Sequence, residues 1–259
     1  MMEIDKTNPY IAMILKIQEA AKNSTFDTPT KIETLEDYDL GGVDCEICNN
    51  TGTVTRQDEN GVSWSRECVC MNARRAQRSI RNSGMSDMVS RYTFLNYQTP
   101  DKERARIKAK AIAYCDEPYG WFYIKGTPGS GKTHICTAIC SELMKQGKSL
   151  RYMLWRDEAV QLKALVTSPE EYASRLNRLK TVRVLYIDDF LKGKITDADI
   201  NLAFELINSR YNNAKLKTII STELSIERVL ELDEAVGSRI YERSKAYCLS
   251  APSENWRLK

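Results

Sequence analysis

Gly126-Thr127-Pro128-Gly129-Ser130-Gly131-Lys132-Thr133 is the stretch on which the fold of this 259-residue chain turns. It follows a short apolar run, Trp121-Phe122-Tyr123-Ile124, that reads as a buried strand. It opens a segment from Thr133 to Lys145 that reads as a helix. Strand, glycine-rich turn and helix in this order match the Walker A pattern without deviation. Glycines let successive backbone N–H groups turn toward phosphate oxygens and form an anion nest. The helix start adds the positive end of its dipole. Lys132 is expected to reach the β- and γ-phosphates of ATP, and the Thr133 hydroxyl to ligate Mg2+. All eight residues, 126–133, form the expected nucleotide-binding set.

Downstream, strand and helix patterns alternate. Ser149–Leu154, Val182–Ile187 and Thr218–Ser221 read as strands. Residues 157–166, 170–180 and 199–211 read as helices, the first two separated by Ser168-Pro169. This alternation predicts an α/β fold, a parallel sheet flanked by helices. The strand 182–187 ends in Asp188-Asp189, where a parallel sheet opens its ligand crevice. Asp188 is expected to hold Mg2+ with Thr133, and Asp189 to orient or deprotonate the attacking water. Thr222 follows the next strand and reads equally as a second crevice residue or as an ordinary Ser-Thr turn or N-cap ahead of a helix.

Upstream, Cys45-x2-Cys48 and Cys68-x-Cys70 flank a hairpin pattern with a turn at Glu59-Asn60-Gly61. Four thiolates suit tetrahedral Zn2+, and so short a segment has too few large apolar residues to fold unaided. Arg74, Arg75, Arg78 and Arg81 follow at helical spacing, and residues 90–97 read as a connector with aromatic anchors. Asp101–Tyr114 reads as helix. A weakly amphipathic stretch, 9–17, and a polar stretch, 23–39, precede the cysteines.

Composition narrows the classes. The chain is 42% hydrophobic with a net charge of +3, so a core is affordable while global charge points to no partner. No apolar run is long enough for a bilayer, and MMEIDKTNPY lacks the pattern of a signal peptide, so a cytoplasmic protein with no membrane partner is expected. The remaining thiols, Cys115, Cys136, Cys140 and Cys248, read as packing residues. The one histidine, His134, excludes triads that need a separate histidine base.

The order of cysteine cluster, basic helix, aromatic connector, residues 126–134, Ile187-Asp188-Asp189 and Gly237-Ser238-Arg239-Ile240-Tyr241-Glu242-Arg243 resembles the DnaC/DnaI-type replicative helicase loaders, especially those of phages and prophages. The resemblance covers most of the chain from Cys45 onward. It implies an AAA+ P-loop ATPase core (86–259) preceded by a small zinc-bearing, helicase-contacting N-terminal domain (1–85). It also implies a hexameric helicase as partner, single-stranded DNA, and self-association into an ATP-bridged oligomer during DNA replication. Under it, Thr222 takes the sensor position, and Arg239 or Arg243 serves as an arginine finger for a neighbouring subunit. Lys163, Tyr172, Arg175, Arg178 and Lys180 fall where the family contacts DNA, although a solvated helix face explains them as well. Asp189 stands where the family pattern has Glu, so slow or partner-stimulated hydrolysis is expected. Two other readings stay open: an IstB-type transposition helper, which the cysteines disfavour, and a nucleotide-binding adaptor without turnover.

Overall fold

The computed structural model describes residues 45–57 and 62–258. The expected segments 9–17 and 23–39 and the turn at 59–61 lie outside the described residues. The hairpin is present: β1 (Thr53–Gln57) pairs antiparallel with β2 (Ser63–Glu67), Thr53 opposite Glu67 and Gln57 opposite Ser63. Helix α1 (Cys70–Ser83) starts inside the cysteine cluster and is closed by Gly84 in the left-handed conformation. Next come α2 (Ser86–Arg91) and α3 (Lys102–Asp116), the latter capped by Asp101, whose carboxylate accepts the Arg104 N–H at 2.8 Å.

The remainder alternates as expected. It comprises β3 (Phe122–Lys125), α4 (Lys132–Lys145), β4 (Leu150–Leu154), α5 (Trp155–Ala164), α6 (Pro169–Thr181), β5 (Val184–Asp188), α7 (Asp197–Tyr211) and β6 (Lys217–Thr222). Three further elements follow for which sequence set no bounds: α8 (Ile226–Leu232), α9 (Glu234–Ser244) and β7 (Cys248–Ser250). The strands form one sheet in the order β4-β5-β6-β3-β7, and every neighbouring pair is parallel.

Strand side chains alternate between two cores, as the period of two requires. Val184 and Tyr186 of β5, Phe122 and Ile124 of β3 and Ile219 of β6 pack on the face covered by α3 and α4. Leu185, Ile187, Tyr123 and Ile220 pack on the other, with α7, α8 and α9. Ile80 of α1 joins the first core, so the helix that begins at the thiols ends against the ATPase sheet. The wholly buried Arg210 ties α6 to the strand starts. Its guanidinium donates to the carbonyls of Leu179 (2.8 Å), Val182 (3.0 Å) and Lys217 (2.7 Å). That fixes where β5 begins, and hence where Asp188 ends up.

Candidate nucleotide site and cysteine cluster

The loop between β3 and α4 has the conformation its glycines allow. Gly129 (φ 77°) and Gly131 (φ 89°) are left-handed, and Gly131 is the residue from which α4 starts. Lys132 is folded onto the loop, its ammonium donating to Gly126 O (2.7 Å) and Thr127 O (2.9 Å). Burial lowers its pKa, opposed chiefly by Asp189 and Glu223 nearby. The loop lines a cavity of about 220 Å³ with Thr133, His134, Asp189 and Lys192. Ser130 is 1% exposed, and its hydroxyl has no hydrogen-bond partner among the described residues. A buried, orphaned hydroxyl in a phosphate-type nest fits a site completed by ligand oxygens.

Thr133 Oγ1 lies 3.4 Å from both carboxylate oxygens of Asp188, so the two expected Mg2+ residues face each other. Three donors unforeseen from sequence orient Asp188: Tyr152 O–H (3.1 Å), the Asp189 N–H (3.1 Å) and the Ser221 hydroxyl. Asp189 is left-handed (φ 54°), and its carboxylate pairs with Lys192 Nζ at 3.0 Å. Lys192 also pairs with Glu223 at 2.9 Å, giving an acid–base–acid row at the crevice mouth.

Of the two readings of Thr222, the crevice residue is not what the structure shows and the Ser-Thr turn is. Thr222 is fully buried, donates to Phe190 O (2.8 Å) and accepts the Leu224 N–H (3.1 Å). Strand alternation is the reason: Ser221 points to the α4 side and reaches Asp188, so Thr222 must point away. Glu223, the next residue, is the one whose side chain stands among the crevice charges.

A second cavity, about 240 Å³, shares Ser130, Gly131, His134 and Trp256 with the first and adds Tyr97 and Arg104. His134 sits between Tyr92 (ring centroids 5.0 Å apart) and Tyr97 (5.1 Å, edge-on). Its Nε2 lies 3.0 Å from Thr93 O, and burial lowers its pKa. Residues 251–258 run over the loop. Trp256 N–H donates to Gly129 O (3.0 Å), and Thr127 Oγ1 donates to Ser253 O (3.0 Å).

Arg239 and Arg243 line neither cavity. Arg239 donates to Ala235 O (2.8 Å) and lies over the Phe204 and Tyr211 rings at 5.5 and 5.6 Å. Arg243 donates to Ala214 O (3.0 Å). The basic residues of α5 and α6 are largely spoken for. Lys163 pairs with Asp199, Arg175 with Glu158, and Lys180 with Glu205, whose carboxylate also accepts the Tyr172 hydroxyl at 2.9 Å. Only Arg178 of the five has no carboxylate partner among the described residues.

The sulfurs of Cys45, Cys48, Cys68 and Cys70 all lie within 4.8 Å of one another and all four residues are buried. Cys45 and Cys68 are 3.7 Å apart, Cys48 and Cys70 3.6 Å. A tetrahedron with metal–sulfur bonds of about 2.3 Å has edges of about 3.8 Å, so the donor set fits Zn2+. Gly52 N–H donates to Cys48 Sγ (3.3 Å), the kind of outer contact that steadies a thiolate ligand. Burial, then the neighbouring thiols, push Cys68 up to about 11 and Cys70 higher still, whereas hydrogen bonds from the Gly52 N–H and the other thiols outweigh burial and hold Cys48 below its ordinary value. Among the described residues Val54 is the one other buried apolar side chain of this cluster, with the half-buried Ile47 and Met71 packed against it.

Among the described residues no helix is long and apolar enough to cross a membrane. Residues 51–259 match the model of the family described as IstB-like ATP binding protein. The phage-like element PBSX protein XkdC of Bacillus subtilis is 32% identical over 228 residues, covering 81% of this chain and 82% of that protein. The replicative helicase loader DnaC of Escherichia coli is 29% identical over 181 residues, 67% of this chain and 71% of that one. A crystal structure of the DnaC helicase loader shares the fold, with a TM-score of 0.56 and 23% identity, covering 64% of this chain and 99% of that chain.

Proposed function

Because the chain belongs to the IstB-like ATP-binding protein family, and its AAA+ core is of the DnaC type, we propose that it is an ATP-driven loader that delivers a replicative ring helicase onto single-stranded DNA. The observation that carries this reading is the sequence likeness to the Escherichia coli loader. The thiol cluster upstream of the core supports it further, as the seat of a separate N-terminal unit ending near residue 85.

In this reading the N–H groups of residues 129–133 and the Ser130 hydroxyl receive the phosphates of ATP. Lys132 leaves the carbonyls of Gly126 and Thr127 for phosphate oxygens, exchanging two neutral acceptors for charged ones. Thr133 and Asp188 would hold Mg2+, which when bound neutralises charge building up on the phosphates. Tyr152 and Ser221 keep Asp188 aimed at that position. Asp189 orients the attacking water and accepts its proton. Its shorter side chain and its pairing with Lys192 both favour slow turnover until a partner rearranges the mouth. Arg239 or Arg243, which sit outside their own crevice, reach the nucleotide of a neighbouring copy in an ATP-bridged oligomer. Cys45, Cys48, Cys68 and Cys70 hold Zn2+ in a structural role, with no open position for chemistry.

The Asp189–Lys192–Glu223 row favours a second reading, an adaptor that binds ATP without turning it over. Light scattering coupled to size-exclusion chromatography separates the outcomes. The protein is mixed with the host's hexameric replicative helicase with ATP, with ADP or with neither, and hydrolysis is followed in parallel. A complex that forms with ATP, and hydrolysis that rises with single-stranded DNA, is expected of a loader. A complex without any turnover favours the adaptor, and no complex under any condition refutes both in favour of a transposition-type helper.

A further inference from the structure

We propose that Lys192 is the residue by which this chain tells ATP from ADP: its ammonium leaves Asp189 and Glu223 for the terminal phosphate of ATP and stays with them when ADP is bound. This role rests on the reading of residues 126–133 as the nucleotide site. Lys192 lines the phosphate cavity and, with Lys132, supplies its two ammonium groups. Its own partners are Asp189 at 3.0 Å and Glu223 at 2.9 Å. The Walker A pattern calls for one lysine, and this second one comes from the turn after β5. That turn is built to hold it there. Phe190 and Leu191 are both buried, and the Phe190 ring packs edge-on against Trp155 with centroids 4.8 Å apart. The Phe190 N–H donates to Ser221 O (2.9 Å), and its carbonyl accepts the Thr222 hydroxyl (2.8 Å). Asp189 and Leu191, on either side of Phe190, are both left-handed at φ 54°. A residue as bulky as leucine rarely adopts that conformation, and it persists only where the surroundings over-determine it. The two anchored residues leave Asp189 and Lys192 as the pair presented to the cavity, tied by the Lys192 N–H to Asp189 O at 3.1 Å.

The exchange of partners is favourable only with a triphosphate. Water oriented by Asp189 attacks the terminal phosphorus, so a cation 3.0 Å from Asp189 stands beside that phosphate. The Lys192 side chain is 41% exposed, so each of its two carboxylate pairs is screened and shifts an equilibrium by about threefold. A charge-assisted bond to phosphate shifts one by about 50-fold. Breaking both pairs to make that bond leaves a net gain of about fivefold. ADP offers no acceptor in that place, and Lys192 keeps its carboxylates. Charge at the mouth acts in the same direction. Burial lowers the Lys132 pKa, Asp189 and Glu223 oppose this, and the Lys192 charge adds to it. A polyanion between the two ammonium groups relieves their repulsion. When Lys192 moves, Asp189 loses its countercharge and is free to accept the water's proton. The new oxygen–phosphorus bond then forms as the bond to the departing ADP oxygen breaks. The shorter reach of Asp189 still leaves turnover slow until a partner rearranges the mouth.

The test is isothermal titration calorimetry of the full zinc-loaded chain with the β,γ-imido analogue of ATP and with ADP, each with Mg2+. Lys192→Met keeps the apolar stem and removes the charge. Lys194→Met removes the same charge from an exposed lysine two residues on that does not line the cavity. Thermal melting establishes that each variant is folded, and Lys192→Ala carries the test if the methionine variant does not fold. The ratio of the two affinities is read, because added negative charge at the mouth weakens both nucleotides. The preference for the ATP analogue over ADP should fall about fivefold in Lys192→Met and stay at the wild-type value in Lys194→Met. An unchanged ratio in folded Lys192→Met overturns the proposal and leaves Lys192 as a clamp on two carboxylates, with the nucleotide site intact. A wild type that binds neither nucleotide refutes the nucleotide site itself, and this role of Lys192 with it.

Discussion

Replacing Gly237 by Ala tests the packing that presents Arg239 and Arg243. A Cβ at this position would lie 2.7 Å from the backbone N of Leu230 and 2.8 Å from its Cα. Both are backbone atoms of α8, so no side-chain rotation relieves the overlap. Ordinary contact begins near 3.4 Å, so α8 and α9 must separate locally by about 0.7 Å. Overpacking of this kind costs about 1–3 kcal/mol. Alanine recovers at most about 1 kcal/mol through its higher helix propensity. With the full alanine gain the net runs from near zero to a loss of about 2 kcal/mol, centred on about 1 kcal/mol, or a fall in Tm centred on about 2–4 °C for a domain of this size. Differential scanning calorimetry of Gly237→Ala against wild type reads it directly. A raised Tm would mean that α8 and α9 have slack, and the account of this glycine would fail.

Three further outcomes follow from the site. A strong chelator should withdraw about one Zn2+ per chain. It should also speed amide exchange in β1 and β2 while β3 to β6 stay protected, because Val54 contributes only about 2 kcal/mol of burial; persistent protection of the hairpin would refute the metal. Burial holds the His134 pKa below its ordinary 6.5, so its share of stability is complete above pH 6.5 and is lost as pH falls through the lower folded value. This is the chain's one histidine, so its proton NMR titration is a single curve; a midpoint at or above 6.5 would contradict the packing between Tyr92 and Tyr97. Lys132→Ala should weaken ATP binding about 10- to 100-fold by calorimetry, the worth of one charge-assisted contact of about 1.5–3 kcal/mol; equal affinity would remove the lysine from the phosphate site.

The parts of this molecule legible from sequence are those in which a local pattern has one physical solution. The nest at 126–133 needs glycines at fixed offsets, and paired cysteines flanking a hairpin have a common focus. The strands β3 to β6 announce themselves as apolar runs between helical segments. What escaped depends on contacts between distant segments. β7 is three residues long and exists because β3 offers it an edge. What sequence left open at Thr222 is a matter of parity: one residue along β6 decides between Asp188 and the Phe190 carbonyl. The stripe on α5 and α6 reads as basic only until Asp199 and Glu205 arrive from α7. The charge row at the crevice mouth needs residue 223 beside 189 and 192, which no single window of sequence brings together.

The most direct test of the loader reading is transfer of the helicase onto closed circular single-stranded DNA, which offers no end to thread. Helicase, this protein, the circle and ATP are incubated, washed at high salt and separated by gel filtration, and the helicase retained on the circle is measured. The account predicts salt-stable retention that requires both this protein and ATP and is lost with Lys132→Ala. Equal retention without the protein, or none with it in the presence of its own host's helicase, would contradict the account.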